Sequence, residues 1–312
     1  MPKGVLVIAG PTATGKTALG AALAGYYGGE VVSADAMQLY RGMVIGTAAP
    51  TAEEQKGIPH HMVGVVSPNE AYSVGRYVQE AGVCVEDILS RGKLPILVGG
   101  TNLYIEALLR GLEFADGNDE IRSRLEAEYD ALGGEALLNR LRDCDAERAA
   151  LLHANDKKRI VRALEIFEIS GETISEHDRR TKERPPKYES LKIALSFEDR
   201  AELYRRIDRR VDGMLEKGLV SEVEALLAGG TAPESTAMQA IGYKEIAAAL
   251  RGECTLAEAV EAVKQASRRY AKRQLSWLRR DRNIHWIMQK NMPDFQEAFL
   301  ISTKLLENSV IL

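Results

Sequence analysis

The sequence predicts an α/β protein, with a parallel sheet flanked by helices and a helical insertion. Three observations predict it. Short β-branched runs alternate with helical stretches, the pattern of a sheet wrapped by helices. The first run opens onto GPTATGKT at residues 10–17, which spells G-x-x-x-x-G-K-T. Between residues 119 and 170 the chain becomes rich in charge and alanine, with helical periodicity and no clear strand.

The elements follow in order. Val5–Ala9 are apolar or β-branched and fit a buried strand, with Gly4–Ala9 as its full extent. Ala18–Tyr26 fit a helix. Further strands are predicted at Glu30–Ala34, His61–Val66 and Pro95–Gly99, with a helix over Ser73–Arg91. The character changes near Leu112. EHDRRTKERPPKYES reads as an exposed loop, because Pro185 and Pro186 bar a helix. LKIALSF at 191–197 returns to the buried-strand pattern. Residues 1–112 and 190–312 are therefore expected to form the core, and 113–189 a mainly helical insertion. Leu203, Ile207, Val211 and Leu215 stand four apart, so they mark an amphipathic helix. Gly218 is expected to end it, and Ser221 with Glu224 to form a capping box for the next helix.

Composition narrows the class. With 312 residues, 45% of them hydrophobic, the chain can build a sizeable core. No run is long enough to span a bilayer, and MPKGVLVIAG goes straight into the first strand without a secretory pattern. Cys84, Cys144 and Cys254 are odd in number and far apart, which suits a reducing, cytoplasmic setting better than disulfides or a zinc site. His60 and His61 are adjacent, so an extended chain points them opposite ways and gives no metal spacing. A net charge of −4 does not announce a nucleic acid partner.

The GPTATGKT stretch carries the most chemistry. Gly10 and Gly15 allow backbone angles that other residues resist. Pro11, Thr12, Ala13 and Thr14 complete a loop whose amides form an anion site at a helix N-terminus. Lys16 adds a point charge for a terminal phosphate, and the Thr17 hydroxyl suits Mg²⁺. This is a P-loop, and it identifies a di- or triphosphate rather than a nucleotide. A nucleotide-hydrolysing P-loop protein has a second strand ending in Asp. Here the candidate, LPILVGGT, ends in Gly99, Gly100 and Thr101. The acid lies elsewhere: Asp35 follows the strand Glu30–Ala34, at a C-terminal end where α/β sheets bind ligands. Asp35 could bind Mg²⁺, accept a proton from a nucleophile, or simply cap a turn.

Charge is concentrated in KQASRRYAKRQLSWLRRDR. It holds Lys264, Arg268, Arg269, Lys272, Arg273, Arg279, Arg280 and Arg282 against Asp281, with Tyr270, Leu275, Trp277 and Leu278 interleaved. That pattern fits a polyanion partner, or a solvated helix face with snorkelling arginines. NDKKRIVRALE is a second basic cluster, with Arg159 and Arg162 on one helix face.

Together these segments resemble the bacterial tRNA dimethylallyltransferase (IPP transferase) family from about Val5 to Trp286. The motifs are GPTATGKT, SADAMQLYRGMVIGTAAP, IPHHMVGVVSPNEAYSV, PILVGGTNLYI, NDKKRIVRALEIFEISG, QAIGYKE and YAKRQLSWLRR. Ala36 departs from the usual pattern, where Ser is frequent, and Gly64 and Ser67 replace acids. The resemblance implies prenyl transfer from dimethylallyl diphosphate to the exocyclic N6 amine of the adenosine 3′-adjacent to the anticodon, with Mg²⁺ as cofactor. It implies that the loop from Gly10 to Thr17 holds the diphosphate, with Lys16, Thr17 and Thr101 acting beside Asp35 as the base. By the same resemblance, Asp35, Ala36, Met37, Gln38, Thr101, Arg122, Lys158, Arg159, Ile160, Val161 and Arg162 contact tRNA. So do Gln239, Ala240, Ile241, Gly242, Tyr243 and Lys244, and the insertion binds the anticodon stem-loop. A cytoplasmic monomer is expected. A small-molecule kinase explains the loop equally well but leaves the basic segments unused. A non-catalytic, RNA-binding NTP switch would need the acid that LPILVGGT lacks.

Overall fold

In the strand GVLVIA, alternate side chains go to opposite faces, and both faces are apolar, so both must be covered. In the computed structural model they are. Val5, Val7 and Ala9 join one hydrophobic cluster and Leu6 and Ile8 another, on the two faces of the sheet. The structure describes residues 2–114, 117–290 and 294–312; Met1, Ala115, Asp116, residues 291–293 and the side chains of Lys182 and Glu183 lie outside the described residues.

The chain divides into two compact units, residues 112–186 and the remainder. The larger begins with β1 (Gly4–Ala9), α1 (Lys16–Tyr27), β2 (Glu30–Ala34), α2 (Ala52–Gln55), β3 (His60–His61), α3 (Val74–Ser90), β4 (Pro95–Gly99) and α4 (Asn102–Arg110). The smaller unit holds α5 (Asp119–Leu132), α6 (Gly134–Cys144), α7 (Ala146–Ala149), α8 (Lys157–Ser170) and α9 (Ile174–Glu183). Its own core is built from residues such as Leu125, Leu141, Ile160 and Leu164. The larger unit resumes with β5 (Glu189–Phe197), α10 (Arg200–Glu216), α11 (Leu219–Ala228), α12 (Tyr243–Leu250), α13 (Leu256–Leu278), β6 (Ile284–Gln289) and α14 (Phe295–Glu307). The sheet has six strands in the order β3-β2-β4-β1-β5-β6, and every pair is parallel. No helix among the described residues is long and apolar enough to cross a membrane.

Four local expectations need correction. The strand predicted at His61–Val66 stops at His61, because Met62 and Gly64 take left-handed φ angles of 62° and turn the chain out of the sheet. The stretch read as the loop EHDRRTKERPPKYES is helical as far as Glu183. Thr173 and Glu176 form a capping box that starts the helix, and the prolines only stop it, with Arg184 extended as a residue before proline prefers. Ser221 and Glu224 are not a capping box: Gly218, at φ 97°, caps α11 and both lie inside the helix. Strand β6 was not anticipated. It is an edge strand with only Ile287 fully buried, so IHWIMQ shows no continuous apolar run.

Glu30 closes the start of β2. It is 3% exposed in its side chain and accepts hydrogen bonds from Arg91, from Lys93 at 2.7 Å and from His61 at 2.8 Å. The Arg91 guanidinium above all holds this carboxyl well below the usual range. A depressed carboxylate contributes stability that is present above its unfolded pKa of about 4.3 and is lost as pH falls below it. Glu30→Gln is expected to cost about 1–3 kcal/mol at neutral pH. Its loss of stability on acidification should also be shallower than wild type, as read from denaturant melts between pH 2 and pH 7.

Candidate active site

The phosphate loop leaves β1 at Gly10, whose φ is 141°. A Cβ there would stand 2.4 Å from the Leu195 carbonyl oxygen, so β5 can approach only a glycine. Ala13 takes a left-handed φ of 65°, an uncommon angle that the surroundings must hold. They do so from three sides. Gln289 Nε2 donates to the Thr14 carbonyl at 3.0 Å, Arg206 Nε to the Ala13 carbonyl at 3.4 Å, and Thr12 N–H to Gln274 Oε1 at 3.2 Å. Thr14 Oγ1 closes the loop on the Pro11 carbonyl at 2.9 Å. Gly15 then begins α1 at φ 89° with no side-chain cap, leaving the first amides of the helix for an anion.

Lys16 donates from Nζ to the Pro11 carbonyl at 2.7 Å. Burial in the cleft pushes its pKa down to about 7, Arg210 pushes the same way, and Asp35 opposes both. Arg210 is itself lowered by burial and donates to the Thr47 carbonyl at 3.4 Å. Lys16 and Arg210 thus share this space with the Asp35 carboxylate.

Asp35 sits in the turn after β2. Its Oδ1 accepts from Met37 N–H at 2.9 Å and from Gln38 N–H at 3.4 Å. Oδ2 accepts no hydrogen bond among the described residues. One oxygen therefore shapes the turn while the other is available to a ligand. Thr101 grips the peptides on either side of Asp35: its N–H donates to the Ala34 carbonyl, and its Oγ1 accepts from Ala36 N–H, both at 3.0 Å. Tyr270 lies beside them, its phenol pushed up to about 12 by burial and by Asp35.

These groups line one cavity of about 440 Å³. Of the residues expected from the sequence, it brings together Thr12, Lys16, Thr17, Asp35, Ala36, Met37, Gln38, Thr101, Gln239, Ala240, Ile241, Gly242 and Lys244. Apolar walls come from Val31, Val98, Ile207, Val211 and Met214. Arg210, Tyr270 and Gln274 also line it, and sequence reading assigned them no role there. Arg210 stands in RRIDRR, and the apolar spacing of that helix does not say which of its arginines turns inward. Among the described residues no group of three or more His, Cys, Asp or Glu could hold a metal by itself.

Three of the residues expected to contact RNA have buried side chains. Ile160 and Val161 are core residues of the smaller unit. Tyr243 is fully buried: its ring packs on Gly46, and its hydroxyl donates to Glu222 Oε1 at 2.6 Å. In the smaller unit, Arg122 and Arg162 both bond the fully buried Glu165, at 2.8 and 3.0 Å, while Lys158 and Arg159 are exposed. On α13, Lys264 and Arg268 pair with Asp212 and Asp208 of α10. Arg269, Lys272, Arg279, Arg280 and Arg282 are exposed and form no ion pair among the described residues.

The family profile described as IPP transferase matches residues 38–281, and one described as isopentenyl transferase matches residues 3–63. The chain belongs to the IPP transferase family. It is 47% identical over 302 residues to the tRNA dimethylallyltransferase of Acetivibrio thermocellus, covering 96% of each chain. It is 48% identical over 289 residues to that of Desulforudis audaxviator, covering 92% of each. A crystal structure of the tRNA isopentenylpyrophosphate transferase of Bacillus halodurans is similar at a TM-score of 0.72 and 40% identity, over 98% of this chain and 97% of that one. A eukaryotic dimethylallyltransferase, captured crystallographically acting on tRNA, is similar at a TM-score of 0.81 and 30% identity, over 99% and 81%.

Tyr243→Phe keeps the ring against Gly46 but removes the bond to Glu222. The IPP transferase described here should then lose about 1 kcal/mol of stability, measured by denaturant melt. A variant as stable as wild type would show that the hydroxyl holds nothing.

Proposed function

We propose that this chain transfers a dimethylallyl group from dimethylallyl diphosphate to N6 of the adenosine 3′-adjacent to the anticodon in tRNA, releasing pyrophosphate. The observation that carries this is the sharing of one cavity by the phosphate loop and Asp35, while β4 ends at Gly99 and is followed by Gly100 and Thr101 rather than an acid. Hydrolysis of a nucleotide needs an activated water and a strand-end acid; an allylic diphosphate needs only a cradle for the leaving group.

The N6 nitrogen attacks C1 of the donor, the C1–O bond breaks, and the bonding pair leaves with pyrophosphate. The proton shed by N6 passes to the free Oδ2 of Asp35. Lys16, Arg210 and the first amides of α1 offset the charge of the leaving group. Adenine reaches the cavity by flipping out of its stack. The apolar walls, Val211 and Met214 among them, suit a prenyl chain and exclude water. A divalent cation such as Mg²⁺ fits the Thr17 hydroxyl, a hard oxygen ligand, and would complete its shell with phosphate oxygens and water. When bound it would add positive charge at the diphosphate. Gln239 and Lys244 at the cavity, the open face of α13, and Lys158 and Arg159 of the smaller unit are the groups we assign to the anticodon stem-loop.

Nucleoside analysis of tRNA after incubation with labelled dimethylallyl diphosphate tests the reaction. Labelled N6-prenyladenosine is expected, and transfer of no label to RNA would overturn the reading.

Asp35→Asn keeps an oxygen for the Met37 and Gln38 amides but puts an NH₂ where the proton acceptor stood. Transfer should fall about 10²–10⁴-fold while the protein stays folded. Single-turnover rates across a Mg²⁺ series, beside a thermal melt, check this. Recovery at high Mg²⁺ would make Asp35 a metal ligand instead, and a near-normal rate would end its role.

Lys16 must be protonated to hold a diphosphate, yet its pKa in the free protein is near 7. Bound diphosphate raises it, so binding takes up a proton above pH 7. Donor affinity is then full below about pH 7 and weakens as pH rises through that value. Calorimetry at pH 8 in two buffers of different ionisation enthalpy should register the uptake, and Lys16→Met should abolish it. Equal heats in both buffers for wild type would refute the assignment.

A further inference from the structure

The transfer step above makes no use of one buried side chain that spans the cavity. Gln274, on α13, is 5% exposed. Its Oε1 accepts from Thr12 N–H of the phosphate loop at 3.2 Å, and its Nε2 donates to the Gly100 carbonyl at 2.9 Å. Only a side chain with a donor and an acceptor can meet both demands; a carboxylate at neutral pH lacks the donor and a methionine lacks both. Gly100 supports this independently. It has no positive φ that would call for glycine. A Cβ there would instead stand 2.1 Å from Gln274 Nε2, so the turn forgoes a side chain to admit the amide. The next residue, Thr101, bonds the Ala34 carbonyl and the Ala36 amide on either side of Asp35. A continuous path of hydrogen bonds therefore runs from the phosphate loop through Gln274 and Thr101 to the Asp35 turn.

We propose that Gln274 is a positioning residue for prenyl transfer: it fixes the phosphate loop, and hence the leaving group, at a set distance from the Asp35 turn that receives the nucleophile. This rests on the reading of the two substrates' places given above. A reacting pair misplaced by about 1 Å loses rate on the order of 10²-fold without losing binding. Two substitutions separate this role from simple packing. Gln274→Ala cuts the path. Gln274→Glu restores it only while protonated, when the acid hydroxyl can donate to Gly100 and the other oxygen accept from Thr12. Once ionised it faces the Gly100 carbonyl with no donor. The titratable and charged groups around this position are Tyr270 and Arg273 on its own helix, Lys16 of α1, Asp35 after β2, and Arg206 and Arg210 of α10.

The experiment measures single-turnover transfer, with Michaelis constants for donor and tRNA, from pH 5.5 to 8.5 and with a melt at each pH. For Gln274→Ala, the rate constant should fall about ten- to hundredfold while both Michaelis constants move less than about threefold. Gln274→Glu should lie within about threefold of wild type at pH 5.5 and at least about tenfold below it at pH 8.5, folded at both. Adding Thr101→Ala to Gln274→Ala should cost less than the product of the two separate losses, because both break one path. A wild-type rate in Gln274→Ala, a loss confined to the Michaelis constants, or a Glu-to-wild-type rate ratio that is flat with pH would each overturn the proposal. If Gln274→Ala does not fold, that ratio decides alone. Wild-type transfer is the control in every series: its failure would overturn the transferase reading, and this proposal with it, whereas losses confined to the variants speak only to Gln274.

Discussion

The site depends on one electrostatic constraint: Lys16 and Arg210 share a desolvated cavity with a single carboxylate, Asp35. Arg210 lowers the affinity of Lys16 for protons, and burial lowers that of both cations more strongly still. A charge held away from water without full compensation is costly. Lys16 finds only a backbone carbonyl, that of Pro11. Such an arrangement is tolerable when an anion completes it, and the diphosphate proposed at the start of α1 would do so. The stakes on the loop follow from the same need. Ala13 is held at a left-handed φ, which costs on the order of 1–3 kcal/mol, and bonds from Arg206, Gln274 and Gln289 offset it. Those three side chains come from α10, α13 and β6, so the loop's shape is set by elements nearly 200 residues or more downstream.

That distance explains what could be read in the sequence. The phosphate loop and the strands β1, β2 and β4 were legible, because each is a local pattern: an apolar run with glycine at fixed spacing. Asp35 was legible by position, at a strand end, but not its double use, in which Oδ1 shapes the turn and Oδ2 stays open. Arg210 and Gln274 were hidden inside amphipathic helices. Their faces are decided by packing, and a period of apolar residues says nothing of which polar neighbour turns inward. Strand β6 was hidden for a related reason: at the sheet edge, beside β5 alone, it buries only Ile287 fully. In the smaller unit, NDKKRIVRALE reads as one basic patch, yet Ile160 and Val161 are core residues and Arg162 binds Glu165.

Glu165 changes how the smaller unit's charge is understood. Its carboxylate is fully buried, and burial alone would favour the neutral form; the bonds from Arg122 and Arg162 outweigh it and keep the group ionised. Breaking such a cluster leaves an uncompensated charge and costs far more than a surface pair. Arg122 is thus partly committed to holding α5 against α8, and Arg162 to neutralising Glu165 within α8. Lys158 and Arg159, exposed at the start of α8, have no such duty, though Arg159 lies 3.7 Å from Asp156. Any polyanion meeting this unit would find exposed charge at the helix start and charge already paired with Glu165 beside it.

The same division of labour runs through SADAMQLYRGMVIGTAAP. The cavity wall here has no regular secondary structure, so its backbone groups need other partners. Glu222 of α11 accepts from the amides of Val44, Ile45 and Gly46, at 2.9, 2.8 and 3.1 Å. Gln38 Nε2 donates to the carbonyls of Thr47 and Ala48, while its Oε1 accepts from Ser33 Oγ. Gln38 therefore uses both ends of its amide on the protein, and only its flank remains for a ligand. Gly46 meets the Tyr243 ring, where a Cβ would stand 2.5 Å from a ring carbon. The motif is thus a wall held from behind by buried side chains, with Asp35 at its start as the group whose free oxygen faces inward. Its residues belong together because one unsatisfied amide or carbonyl would loosen the wall. A loosened wall would release the turn that aims Asp35.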